Sequence, residues 1–184
     1  MGIKHKGIPI TLALELIKNN DLIYFVESGT GSGRTALWAS SNFDYVWSIE
    51  LDNDIHSQAK AKIASHCWRD NVMLINGNSC DEIQGLVEKI KAPALFFLDA
   101  HWSPDLGYRR PDTGECPVIA EILPIMTSPY KHIIIIDDAR YFVERPGAGH
   151  RADDWPTFNE IKEFCRSAHK SIEYLSEHDV IVIK

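Results

Sequence analysis

The sequence is poor in features that would mark a disulfide scaffold, a metal ribbon, a membrane span or a nucleic-acid surface. It has four cysteines in 184 residues, Cys67, Cys80, Cys116 and Cys165, and no C-x-x-C pair. Such scattered thiols exclude a zinc ribbon or thioredoxin-like centre and read as reduced, mostly buried side chains. Apolar runs such as residues 133–136 are far shorter than the roughly 20 residues a bilayer requires. Positive charge is also scarce. Lys and Arg total 19 against 26 Asp and Glu, a formal net charge of −7, and no basic stripe of the kind a nucleic-acid binder shows is present. Low-complexity tracts and internal repeats are absent. With 45% hydrophobic and 24% charged residues, a disordered chain, a coiled coil and a collagen-like fibre are excluded. Lys4 and Lys6 precede an apolar stretch, but Glu15 interrupts it and no small-residue cleavage site follows. Lys6 also stands where an N-myristoylation signal wants Ser or Thr. The expectation is a cytoplasmic protein with neither membrane nor nucleic acid as partner, in one domain spanning residues 1–184.

What is present is an alternation of strand and helix patterns. Pro9 opens a first helix within residues 1–20, with Ile8, Leu12 and Leu16 on its apolar face. Short apolar strands are expected at residues 22–26, 45–49, 72–75, 94–98 and 132–136. Helices are expected at 35–39, 54–67, 81–91, around 118–126, and at 156–168. In the second of these, Ile55, Ala59, Ile63 and Cys67 form one stripe. Residues 172–175 and 180–183, separated by Ser176-Glu177-His178-Asp179, read as a closing antiparallel hairpin. The central strands are continuously apolar, as burial on both faces requires. The predicted fold class is therefore α/β: a doubly wound, Rossmann-like sheet of five parallel strands plus a C-terminal antiparallel hairpin. Two segments, 102–116 and 141–155, fit no element. Both follow the carboxyl end of a strand, where open α/β sheets bind ligands, and both are expected to be active-face loops.

The most specific motif is Glu27-Ser28-Gly29-Thr30-Gly31-Ser32-Gly33, between a strand and a helix. Glycines there admit positive φ and close ligand approach, and the helix N-terminus offers free N–H groups. Glu50 closes the next strand, where an acid can accept bonds from both hydroxyls of a ribose. Together they argue for an adenosine-containing cofactor. The dinucleotide fingerprint read from Gly29 requires Gly or Ala at position 34, where Arg34 stands, and the register from Gly31 is set aside as well. A P-loop needs a lysine that Gly33-Arg34-Thr35 lacks. Glu27 would repel a phosphate and attract a sulfonium bearing a free amino group.

On these residues the sequence resembles the class I S-adenosylmethionine-dependent methyltransferases from Leu22 to Ile183. The resemblance implies that Glu27, Gly29, Thr30, Gly31 and Gly33 bound the methionine portion of the cofactor and that Glu50 holds the ribose. It also implies that Asn78 and Ser79, after the third strand, meet the adenine.

Asp99 ends the fourth strand, and Asp137 with Asp138 ends the fifth. Their strand ends should lie on the side of the glycine turn. Clustered carboxylates repel unless a cation or a proton joins them. A hard divalent ion, Mg²⁺ before Zn²⁺ given no clustered Cys, is one solution. Solvated strand ends or helix caps are the plainer alternative. This pattern resembles the metal-dependent O-methyltransferases acting on sugars and natural products, which implies Asp99, Asp137 and Asp138 as Mg²⁺ ligands and Asp99 as a cofactor contact. His101, two residues after Asp99, is a candidate general base, or a loop histidine bonded to backbone. Arg109, Arg110, Arg140 and Arg145 are candidate clamps for an anionic substrate group. Trp102, Tyr108, Tyr141 and Trp155 are candidates for an aromatic pocket. His150, Asp153 and Asp154 reach the site if the second loop folds inward.

The expected activity is methyl transfer to a small hydroxylated substrate, with catalysis by Asp99 and His101. A nicotinamide-dependent oxidoreductase is the alternative enzyme, and a non-catalytic cofactor-binding module is the third reading. The short N-terminus leaves open an uncapped site, a cap built from the two loops, or one borrowed from a second subunit in a homo-oligomer.

Overall fold

The computed structural model describes residues 7–66, 70–104 and 110–184. Seven strands form one sheet in the order β3-β2-β1-β4-β5-β7-β6. They are β1 (Tyr24–Ser28), β2 (Tyr45–Glu50), β3 (Val72–Asn76), β4 (Ala94–Leu98), β5 (Ile133–Ile136), β6 (Ile172–Leu175) and β7 (Val180–Ile183). The first five are mutually parallel. β7 inserts antiparallel between β5 and β6, so the hairpin closes the sheet as expected. The strand order reverses between β1 and β4, the switch point at which α/β sheets open a crevice.

Alternation along each strand divides the core into two layers. Phe25, Leu95, Phe97, Ile133 and Ile135 pack on one face with α1 (Ile10–Asn19), α2 (Arg34–Ser40) and α3 (Asn53–His66). Val26, Phe96, Leu98, Ile134 and Ile136 pack on the other with α4 (Ser79–Lys89), α5 (Val118–Met126) and α7 (Phe158–Ser167). Phe25, Phe96 and Phe97 are fully buried, each contributing about 2 kcal/mol in apolar transfer. This two-faced burial is why these strands carry no polar alternation.

Several boundaries differ from the sequence pattern for local reasons. The α4 helix starts at Ser79 because Asn78 caps it, its side-chain oxygen accepting the Cys80 N–H at 3.1 Å. The last long helix starts after Thr157, whose hydroxyl and backbone form a capping box with Glu160. Segment 141–155 is more than a loop, since it holds most of a short helix, α6 (Arg140–Val143), and a 3-10 turn at Ala152–Asp154. Cys67, at the end of the α3 stripe, lies outside the described residues. No helix among the described residues is long and apolar enough to cross a membrane.

Candidate functional site

The carboxyl ends of β1, β2, β4 and β5 bring the expected residues to one edge. Glu27, the penultimate residue of β1, sits opposite Ser48 of β2 in the parallel ladder. That register lets the Ser48 hydroxyl donate to Glu27 Oε2 at 2.6 Å. With that proton committed, the Thr30 hydroxyl donates to Ser48 at 2.6 Å. Glu27 is 1% exposed, and burial pushes its carboxyl up to about 8, against the hydroxyls of Ser48 and Thr35 and with a further push from Glu50.

The turn after β1 is fixed by backbone. The N–H groups of Gly29 and Thr30 both donate to the Ile49 carbonyl. Gly29 has φ +84°, and a Cβ there would lie 2.4 Å from the Asp99 carbonyl oxygen, so only glycine fits between β1 and β4. Glu50 takes the Gly31 N–H on Oε2 at 2.9 Å and the Asp52 N–H on Oε1 at 3.0 Å. Each oxygen keeps a lone pair for a vicinal diol. Gly33 caps α2 in the left-handed region at φ +71°.

Gly29 divides a cleft into two halves. One is lined by Ile49, Glu50, Leu51, Gly77, Asn78 and Ser79, with Pro111, Thr113 and Gly114 of the first loop opposite. The other is lined by Glu27, Thr30, Gly31, Ser32, Thr35 and Asp99. Asn78 spends its side-chain oxygen on the helix cap, which leaves its amide nitrogen to face a ligand. Read from Gly31, the letters Gly31, Gly33 and Ala36 do meet the dinucleotide fingerprint, contrary to the reading above. That register nevertheless starts three residues beyond the end of β1, whereas the fingerprint's first glycine makes the turn itself.

The second cluster lies at the ends of β4 and β5. Burial, then the charges of Asp137 and Asp138, hold the Asp99 carboxyl well above the usual range. Asp137 is buried and pushed up to about 7 by burial and by Asp138. Asp138 goes the other way. Burial raises it, but His101 and Arg140 outweigh burial and bring it to about 2. Its Oδ2 lies 2.8 Å from His101 Nε2, and Arg140 NH1 donates to its Oδ1 at 2.5 Å. The same guanidinium nitrogen donates to Asp179 Oδ2 in the β6–β7 turn. Ionised Asp138 can only accept, so Nε2 carries a proton, and in the neutral ring the lone pair sits on Nδ1. That atom is 3.8 Å from Asp99 Oδ1. The imidazole is packed against Trp155 and Tyr141. His101 is thus oriented by a side-chain carboxylate, not bonded to backbone as a loop histidine would be.

The Mg²⁺ ligand set fits this arrangement poorly. Each oxygen of Asp138 already accepts from a guanidinium or an imidazole, so an ion would have to share it with that donor, and no three His, Cys, Asp or Glu side chains among the described residues are grouped to hold a metal ion. The like-charge problem is answered by a guanidinium, an imidazole and raised carboxyl pKa values.

Two acids escaped the sequence reading. Glu115 is 1% exposed and joins the two loops. It accepts from His150 Nδ1, the Arg151 N–H and Trp155 Nε1, each at 2.9 Å. Arg110 Nε lies 2.9 Å away, a charge contact out of line for a hydrogen bond. Burial raises the Glu115 carboxyl, but these donors outweigh it and leave it below the ordinary value. No local pattern marks this residue. Glu121, 1% exposed on α5, is raised by burial against the hydroxyls of Ser79 and Ser28. Its signal was legible: it is the one acid in the apolar stretch VIAEILPIM.

The other candidates are largely engaged by protein. Arg145 donates to the carbonyls of Trp155 and Ala152, and Arg110 to that of Gly149, so both brace the loops. Asp154 accepts the Glu115 N–H at 3.2 Å, and His150 is held by Glu115. Trp102 and buried Trp155 meet His150 edge-on, and Tyr141 lies tilted against it. Asp153 makes no such contact. Tyr108 and Arg109 lie outside the described residues.

No protein-family model matches the sequence, and no curated protein matches it. Solved structures do share its fold. One described as a caffeoyl-CoA O-methyltransferase from Staphylococcus aureus superposes with a TM-score of 0.66 at 20% identity, over 96% of this chain and 82% of that one. An O-methyltransferase from Bacillus cereus in complex with SAH gives 0.65 at 16% identity, over 97% and 81%. A protein described as an rRNA-methylase from Clostridium thermocellum gives 0.60 at 15% identity, over 100% and 97%. At these identities the likeness is one of fold, the Rossmann-like methyltransferase sheet.

Proposed function

We propose that this protein is an S-adenosylmethionine-dependent methyltransferase that methylates a hydroxyl group on a small substrate. The observation that carries the reading is the pair of acids flanking the glycine turn. Buried Glu27 lies beside the half of the cleft suited to a sulfonium and an α-ammonium, and Glu50 faces the half suited to a ribose. A buried carboxyl raised to about 8 is mostly the neutral acid at pH 7, and a cationic ligand beside it favours its ionised form. A pyrophosphate would meet that carboxylate instead, which disfavours a nicotinamide cofactor. Gly29, Thr30, Gly31 and Gly33 form the turn against the methionine portion. Asn78 and Ser79 border the adenine, and Asp99 faces the sulfonium across the switch point.

On the acceptor side, His101 is the general base, with Asp138 fixing its tautomer so that Nδ1 receives the hydroxyl proton. The hydroxyl oxygen attacks the methyl carbon in line with the departing sulfur, and orientation supplies most of the acceleration. Asp99, beside Nδ1, positions the acceptor. Residues 110–116 and 141–155, pinned by Glu115, exclude water. The net charge of −7 favours a small acceptor over a polyanion.

Calorimetric titration of the full chain with S-adenosylmethionine, S-adenosylhomocysteine and NAD tests the cofactor, and methyl-radiolabel transfer to a library of hydroxylated compounds tests the reaction. Saturable binding of the two sulfur ligands without NAD binding is expected. NAD binding would instead establish the oxidoreductase. Homocysteine-product binding with no transfer to any acceptor would establish the non-catalytic module.

A further inference from the structure

We propose that Arg140 supplies, from within the chain, the positive charge that the carboxylate edge at the ends of β4 and β5 requires, so that this edge takes no divalent cation. Three observations carry this. Arg140 NH1 bridges Asp138 Oδ1 and Asp179 Oδ2, placing one guanidinium between two carboxylates. His101 Nε2 takes the remaining oxygen of Asp138 at 2.8 Å. The bridge is also locked by backbone: Asp179 Oδ1 accepts the Arg140 N–H at 2.8 Å, and the Asp179 carbonyl accepts the Ala139 N–H at 2.8 Å. The turn between β6 and β7 therefore clamps the end of β5, and Asp138 adopts φ +54° to meet both partners.

A Mg²⁺-type ion demands near-octahedral oxygen ligation at about 2.0–2.1 Å and does not compete well for a carboxylate already held by a guanidinium and an imidazole. Asp137 is buried at 6% exposure, Asp138 is 26% exposed but has each oxygen bonded to a protein donor, and Asp99 is 30% exposed with His101 Nδ1 3.8 Å away. One carboxylate does not make such a site. Arg140 is a positioning residue here: through Asp138 it sets the His101 ring. The proposal deepens the methyltransferase reading and rests on it for one consequence, that transfer to the hydroxyl proceeds without added metal.

The test is titration of the full chain with Mn²⁺, followed by calorimetry and by the paramagnetic resonance signal of the free ion, with no cofactor present. Wild type is expected to show no saturable site at millimolar Mn²⁺. Arg140→Met is expected to acquire one ion per chain, bound at least about tenfold more tightly than any wild-type association. Arg140→Lys, which keeps the charge, is expected to remain like wild type. A purely structural role for Arg140 would create no ion site. Stoichiometric Mn²⁺ binding to wild type overturns the proposal, and that arm holds even if the Met variant fails to fold. A folded Arg140→Met chain that binds Mn²⁺ no better than wild type overturns it too. Titration with S-adenosylhomocysteine in EDTA reports separately on the cofactor, so failure of the methyltransferase reading is distinguishable from failure of this one.

Discussion

Glu27 makes the cofactor reading quantitative. Its carboxyl is buried among β1, β2 and the glycine turn at the lining of the cleft, and burial pushes it up to about 8. If the cofactor's α-ammonium stabilises the carboxylate, binding expels a proton wherever the empty site is protonated. The sign follows from linkage: the free protein holds the proton more tightly than the complex, so affinity rises with pH up to the free-state pKa and then levels. With a free-state value of about 8, the dissociation constant should fall about tenfold between pH 6 and pH 7. Titrating S-adenosylhomocysteine in two buffers of different ionisation enthalpy measures both quantities, and nearly one proton should be released per ligand at pH 6–7. Glu27→Gln should bind weakly, with no pH slope and no proton release. The same substitution should stabilise the ligand-free protein at pH 7 by on the order of 3 kcal/mol, because a raised carboxyl pKa costs stability as pH climbs from 4.5 towards 8. Wild-type affinity that is flat between pH 6 and pH 7, with no proton released, would refute the assignment of Glu27 to the ammonium.

Three further outcomes are expected. Gly29→Ala should abolish S-adenosylhomocysteine binding and lower the denaturant midpoint, because its Cβ would stand 2.4 Å from the Asp99 carbonyl oxygen. Glu115→Ala should destabilise by about 2–4 kcal/mol, since it strands the donors of Trp155 and His150 in the interior. It should also speed limited proteolysis within 141–155, and equal cleavage rates would contradict the pinning role. Finally, His132 is buried and accepts the Ala94 N–H on Nδ1, and burial lowers its pKa to about 4. The unfolded chain binds this proton more readily, so stability should drop by on the order of 2 kcal/mol as pH falls from about 6.5 to 4. His132→Asn should flatten that slope in urea melts.

Legibility divides by the range over which each feature is encoded. The strand runs, the cap at Pro9 and the turn Gly29–Gly33 are written in a few consecutive residues, so periodicity and turn chemistry disclosed them. Glu27, Glu50, Asp99 and Asp137 were legible as one edge because parallel strands in an α/β sheet present the same end to the crevice. Glu121 could have been found as a lone acid in an apolar helix. Glu115 could not, since its donors His150, Arg151 and Trp155 lie 35–40 residues downstream in an irregular segment. The letters Gly31, Gly33 and Ala36 allowed two cofactor registers, and only the point at which β1 ends separated them.

By itself, then, the sequence determined the doubly wound sheet, the glycine turn after its first strand and the acidic edge, because local pattern and the handedness of strand connections leave little other choice. Tertiary structure decided how that acidity is neutralised. Whether Asp138 meets a divalent ion or Arg140 depends on the β6–β7 turn folding back to put Asp179, 39 residues away, against the same guanidinium. Arg140 stands two residues from Asp138, but His101, 37 residues before Asp138, and Asp179, 39 residues after Arg140, join the cluster only through proximity in space.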